Sequence, residues 1–128
     1  VKYYNDSKGT NPDSSIKALE AMSRPTLLIA GGYDKHSEFY EFIEAFGNKV
    51  KLLVLIGQTA DLIENTAREC GFDKIVRADS LLEAVKICSD NAAEGDVVLL
   101  SPACASWGMF KNYEERGVLF KQYVNDLK

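Results

Sequence analysis

The most constraining feature of this sequence is an alternation: five short runs of strand-type residues are separated by segments whose apolar positions recur every three or four residues. The predicted strands are Lys2 to Asn5, Thr26 to Ala30, Val50 to Gly57, Lys74 to Arg77 and Asp96 to Leu100. Most are continuous apolar runs rather than alternating ones, as expected of strands covered on both faces. Between them, Ile16, Leu19 and Met22 make one helical stripe, Phe39, Phe42, Ile43 and Phe46 a second, and Ile63, Ala67 and Cys70 a third. Leu81, Val85, Cys88 and Ala92 make the fourth, and Phe120, Tyr123, Val124 and Leu127 the fifth. Each predicted helix has one face to bury. End signals agree with the stripes: Asn11 before Pro12 suits an N-cap and first helical position, Ser80 suits the cap of the fourth helix, and Gly47 and Gly71 follow helix ends. Strand-helix repetition of this kind predicts an α/β fold, a Rossmann-like, mainly parallel sheet with helices on both faces.

At 128 residues the chain has room for one hydrophobic core, so residues 1–128 are read as a single domain. The 15 basic and 19 acidic side chains are interleaved along the sequence and sum to −4, which leaves no electrostatic footprint for nucleic acid. No apolar run approaches the ~20 residues that cross a bilayer, and no signal-peptide pattern is visible, so a soluble, cytoplasmic protein without membrane partners is expected. Cys70, Cys88 and Cys104 lack a CxxC spacing and His36 is the single histidine, which disfavours a disulfide scaffold and a metal site. The chain opens on Val1 with strand-type residues at once, and is read as a fragment of a longer polypeptide.

In a parallel sheet, ligands collect at the carboxyl ends of the strands. Three strand-to-helix loops are therefore of interest. The first, from Asn5 to Asn11, opens directly into a helix, so hydroxyls, backbone N–H groups and Lys8 converge where a helix dipole favours an anion. A polar turn ending in an N-cap explains the same residues equally well. The second, Gly31 to Ser37, carries paired glycines that permit close backbone approach, and Lys35 as a point charge for a carboxylate or phosphoryl oxygen. By pattern alone a tight turn with a solvated lysine is favoured there, and His36 reads as a surface residue at a helix start. The third, Ser101 to Asn112, is rich in small residues, with Trp107, Phe110 and Tyr113 placed to wall a pocket. Cys104 has no assignable base and reads as a packed, inert thiol, and Ser106 lacks the surroundings of a hydrolase nucleophile.

Taken together, Asp6-Ser7-Lys8-Gly9-Thr10-Asn11, Gly31-Gly32 with Lys35, the run from Leu99 to Ser106, Phe110-Lys111-Asn112 and Glu115-Arg116-Gly117 resemble the C-terminal domain of the Mur ligases, in particular those that add D-glutamate. The resemblance runs in order through essentially the whole chain. It implies an ATP-dependent amide-forming ligase of peptidoglycan synthesis built from three domains. The first would hold the UDP-sugar, the central one the ATP with its Mg2+, and the C-terminal one the amino acid. The implied reaction activates the carboxylate of UDP-N-acetylmuramoyl-L-alanine as an acyl phosphate, which the amine of D-glutamate attacks. Position by position, the resemblance places Thr10, Lys35, Ser106, Trp107 and Tyr113 at D-glutamate, and Asp6 and Lys8 toward the nucleotide and reacting phosphate, with Lys8 and Lys35 as the catalytic cations. Gly9 stands where alanine is common in that family, a change expected to be tolerated in a loop, and Trp107 where a smaller aliphatic residue occurs. Without the P-loop and UDP-sugar site, the 128 residues alone are expected to be inactive. A free-standing flavodoxin-like or receiver-like module has the same strand and helix count. A receiver, however, needs an aspartate at the end of the third strand, where this chain has Ile56-Gly57-Gln58.

Overall fold

The computed structural model describes residues 1–34 and 37–127. Lys35 and His36 therefore lie outside the described residues. Five strands alternate with five helices: β1 Lys2–Asn5, α1 Pro12–Glu20, β2 Thr26–Ala30, α2 Tyr40–Glu44, β3 Val50–Leu55, α3 Ala60–Glu69, β4 Ile75–Arg77, α4 Leu81–Asn91, β5 Val97–Leu100 and α5 Tyr113–Asn125. The strands form one parallel sheet in the order β1-β5-β2-β3-β4. The α/β, Rossmann-like expectation is met.

Strand order and helix placement share one cause. Connections out of β1, β2 and β3 step across the sheet in one direction, and the connection from β4 to β5 steps back. Right-handed crossovers must then place α1, α2 and α3 on one face and α4 on the other. The core divides accordingly. Leu19, Phe42, Phe46, Ile63 and Ala67 pack on Leu28, Ala30, Leu53 and Leu55, whereas Leu81, Val85, Cys88 and Phe120 pack on the alternate strand residues Leu27, Ile29, Val54 and Val98. Both faces of the central strands are thus apolar, which is why the sequence shows runs there.

The end signals act as predicted at α1 and α4, where Asn11 Oδ1 accepts from Ser14 N at 2.9 Å and Ser80 Oγ from Glu83 N at 3.1 Å. At α3, Gly71 has φ +87°, and the N–H groups of Phe72 and Gly71 donate to the Ala67 and Arg68 carbonyls, a left-handed C-terminal closure that glycine favours. The second helix is shorter than its stripe predicts: it spans Tyr40–Glu44 only, because the chain turns through 45–49 to enter β3. The third strand also ends early, at Leu55, since Gly57 leaves the extended region with φ +78°.

Asp96, predicted as the first residue of β5, instead sits just ahead of it and closes the preceding turn. Its Oδ2 accepts from Lys51 Nζ at 2.6 Å and Ala93 N at 2.8 Å, and the residue is 6% exposed. The Lys51 hydrogen bond first, then the Ala93 N–H, hold its carboxyl below the usual carboxylate range against the opposing effect of burial. Stabilisation of this sign is fully present above the unfolded value near pH ~3.9 and is lost as pH falls through the lower folded-state value. Asp96→Asn is expected to cost about 1.5–3 kcal/mol at neutral pH. Urea unfolding of the two proteins from pH 7 downward checks this, with the gap between them closing in acid.

Candidate functional site

Because β5 lies between β1 and β2, the three loops leave adjacent strand ends, with the 101–112 segment in the middle. They are joined to one another by hydrogen bonds. Asp6 N donates to Leu100 O at 2.7 Å, and Ser101 Oγ donates to Asp6 Oδ2 at 2.7 Å. Ser101 Oγ also lies 2.8 Å from Ser15 Oγ, which itself donates to Ser101 O at 3.2 Å. Ser15 and Ser101 are fully buried, so this relay fixes the Asp6 carboxylate from below. On the other flank, Tyr33 and Ala105 exchange both backbone hydrogen bonds, 3.0 and 2.9 Å, as an isolated antiparallel bridge.

Space among these loops is scarce, and the glycines show where. A Cβ on Gly31 would lie 2.1 Å from the Ile56 carbonyl oxygen, and one on Gly32 would lie 2.5 Å from that of Ala105. The close approach that the paired glycines permit is therefore to neighbouring backbone, not to open space for a ligand. At Gly9 an added Cβ would meet Asp6 Oδ2 at 2.6 Å, so alanine is accommodated there only if that carboxylate moves.

Lys8 is exposed and lines an open groove of about 370 Å³ with Asn5, Tyr113, Gly117 and Lys121. Thr10, Ser106 and Trp107 do not line this groove. Thr10 is half-buried just ahead of α1, Ser106 is 8% exposed, and neither side-chain hydroxyl has a hydrogen-bond partner among the described residues. Trp107 is 65% exposed and meets the Tyr33 ring edge-on at 4.7 Å. The three aromatics of the third loop thus do not wall one pocket. Phe110 is half-buried against the core cluster that holds Leu81 and Phe120, Tyr113 begins α5 at the Lys8 groove, and Trp107 is largely exposed.

Cys104 is buried against Thr59, with Sγ 3.3 Å from Oγ1, and burial pushes its thiol up to about 11 despite the pull of the Thr59 hydrogen bond. It stays a thiol at neutral pH, as the sequence suggests for a packed cysteine. Thr59 Oγ1 also accepts from Gly32 N at 3.0 Å, pinning the second loop.

The residue to which the sequence assigned no role is Arg116. It is 1% exposed and its Nε donates to Ser7 Oγ at 2.9 Å, Nη1 to Cys104 O at 3.0 Å and Nη2 to Ser7 O. Burial lowers its guanidinium to about 10, against the opposing pull of Cys104 and the Asp6 carboxylate, so it remains a cation at neutral pH whose hydrogen bonds run to neutral oxygens.

Sheet, loops and relay together define an α/β domain whose three hydrogen-bonded loops lie along the carboxyl edge of β1, β5 and β2. A family model described as "Mur ligase, glutamate ligase domain" matches residues 1–104, and the chain belongs to that family. It is 62% identical over 127 residues to the UDP-N-acetylmuramoylalanine–D-glutamate ligase of Lachnospira eligens, an alignment covering 99% of this chain and 28% of that protein. It is likewise 62% identical over 128 residues to the enzyme of that name from Lachnoclostridium phytofermentans, covering 100% of this chain and 28% of that protein. The chain thus spans little more than a quarter of these relatives. Among solved structures, it is similar to a UDP-N-acetylmuramate-alanine ligase from Thermotoga maritima, with a TM-score of 0.59 and 14% identity over 92% of this chain and 25% of that one. That likeness shows the fold. The family match also disfavours a free-standing flavodoxin-like or receiver-like module. No helix among the described residues is long and apolar enough to cross a membrane.

Proposed function

We propose that this domain brings D-glutamate to the acceptor carboxyl in a cytoplasmic, ATP-dependent ligase of peptidoglycan synthesis whose other substrate is UDP-N-acetylmuramoyl-L-alanine. One observation carries the reading: the three loops meet along adjacent strand ends in a chain 62% identical, over nearly its full length, to relatives named as such ligases. D-Glutamate offers two carboxylates and one amine, so its recognition needs two anion-binding places. The hydroxyls of Thr10 and Ser106, with Lys35 by sequence resemblance, supply donors for these, and Trp107 and Tyr113 border them. Lys8 places a positive charge toward the phosphoryl group, and Asp6 holds the loop that carries it. In the proposed reaction the amine of D-glutamate attacks the acyl carbon of the activated substrate. A C–N bond forms, the C–O bond to phosphate breaks, and the amine loses its proton as phosphate departs. Positive charge near the developing oxyanion is what such a step requires.

The described residues hold no group of three His, Cys, Asp or Glu side chains suited to a metal ion. A magnesium ion on the ATP phosphates would be held by those phosphates and by residues beyond this chain. The test is a chimera in which this chain replaces the matching segment of the Lachnospira eligens ligase. The chimera is expected to release phosphate from ATP with D-glutamate and not with L-glutamate, and the 128-residue chain alone to release none. A folded chimera that ignores D-glutamate, or activity in the chain alone, would overturn the reading.

A further inference from the structure

We propose that Arg116 is a positioning residue whose guanidinium locks two peptide planes, the one leading into Lys8 and the one leading into Ala105 and Ser106, in a single geometry. The proposal rests on the ligase reading above.

A buried guanidinium whose hydrogen bonds run to neutral oxygens is an expensive way to fill space, and an apolar side chain of similar volume packs there without loss of hydration. What an apolar side chain cannot do is bond two loops at once. The Arg116 fork donates to the Ser7 carbonyl and hydroxyl on one side and to the Cys104 carbonyl on the other. A carbonyl oxygen lies in its peptide plane, so holding Ser7 O fixes the plane that ends at the Lys8 nitrogen. Holding Cys104 O likewise fixes the plane that ends at Ala105 N, which donates to Tyr33 O at 2.9 Å.

The neighbours of Arg116 reinforce the arrangement. Ser7 Oγ donates to Tyr113 O at 2.6 Å, Asn5 Nδ2 donates to Gly117 O at 2.9 Å, and Asn5 Oδ1 accepts from Ser7 N at 3.1 Å. A Cβ on Gly117 would lie 3.2 Å from Ser7 Cβ, so α5 and the first loop are in close contact where the fork crosses. Lysine keeps the charge but is a single point donor, and it cannot reproduce contacts to both loops.

The test uses the full-length chimeric ligase with Arg116→Lys, Lys8→Ala and the double variant. Arg116→Lys is expected to lower the D-glutamate-dependent rate about 10- to 100-fold, the scale of a small misplacement of a reacting group. Because Arg116 acts partly through Lys8 and partly through the 104–106 segment, adding Arg116→Lys to Lys8→Ala is expected to lower the rate by clearly less than Arg116→Lys does alone. Effects that multiply in full would overturn the proposal. No loss in Lys8→Ala alone would overturn the ligase role of Lys8, and the proposal with it. Hydrogen exchange on the same proteins gives a readout independent of activity: residues 5–11 and 101–108 are expected to exchange faster together in Arg116→Lys while β3 and β4 stay protected. Faster exchange confined to α5 would overturn it. Should Arg116→Lys not fold, Ser7→Ala, which removes the Nε acceptor, takes its place in both comparisons.

Discussion

Gly31→Ala is expected to remove at least about 3 kcal/mol of stability, a large part of the ~5–15 kcal/mol that a domain of this kind has in total. Two costs combine. The backbone at Gly31 has φ +109°, a region closed to L side chains, and the added methyl carbon would sit 2.1 Å from the Ile56 carbonyl oxygen. Ile56 cannot yield readily, because its N–H donates to Ala30 O at 3.0 Å and its side chain is 1% exposed. Nor can Gly31, whose N–H donates to Pro102 O at 2.9 Å. Gly47→Ala supplies the control: φ there is +50°, within the ordinary left-handed region, and nothing lies within 4 Å of the added carbon. That change is expected to cost only about 1–2 kcal/mol. Urea midpoints for the two variants decide the matter. Equal midpoints would mean that the crowding at the β2 and β3 ends does not govern stability.

The same glycines mark the boundary of what could be read from the sequence. Strands β2, β3 and β5 were legible because burial on both faces leaves an unbroken apolar run, and helix faces were legible because the stripes repeat locally. Strand order was not, since a parallel connection to an adjacent strand and one that skips a strand carry the same local pattern. The loops were legible as sites by rule of topology, but their partners were not. The glycine pair reads in sequence as a tight turn permitting close backbone approach, but what it approaches is not readable there: Ile56 and Ala105, residues remote along the chain. Ser15 and Ser101 are 86 residues apart, and Ser7 and Arg116 are 109 apart, so no window along the chain reveals either contact. Arg116 did leave a trace. It precedes Phe120 and Val124 at intervals of four, which places a guanidinium on the apolar stripe of α5. A charge on the face a helix buries is a positional anomaly, and it resolves once the helix is seen to end its buried face under two loops. The N-cap of the same helix left a signal the sequence analysis did not use, Asn112 three residues before Glu115, and Asn112 Oδ1 accepts from Glu115 N at 2.8 Å.

Lys8→Ala in the chimeric ligase is expected to lower kcat by about 10²–10³, or ~2.7–4 kcal/mol of barrier, with little change in the Michaelis constant for D-glutamate. The direction of the effect follows from where the side chain starts. Lys8 is exposed, so its removal leaves no buried group unpaired, and the thermal midpoint should not move. Its backbone, by contrast, is held firmly: Gly9 N donates to Asp6 O at 2.8 Å, Asp6 N to Leu100 O at 2.7 Å, and Ser7 is 4% exposed beneath it. In the proposed role the firm backbone confines reorganisation to the lysine side chain, and the energy returned would grow as charge develops on the phosphoryl oxygens. Such an interaction is stronger in the transition state than with bound substrate, so its loss falls on kcat. A residue that only helped to hold D-glutamate would do the opposite, raising the Michaelis constant at unchanged kcat. Steady-state kinetics with D-glutamate varied at saturating ATP separates the two, and an effect confined to the Michaelis constant would move Lys8 from the reacting phosphate to the amino-acid site.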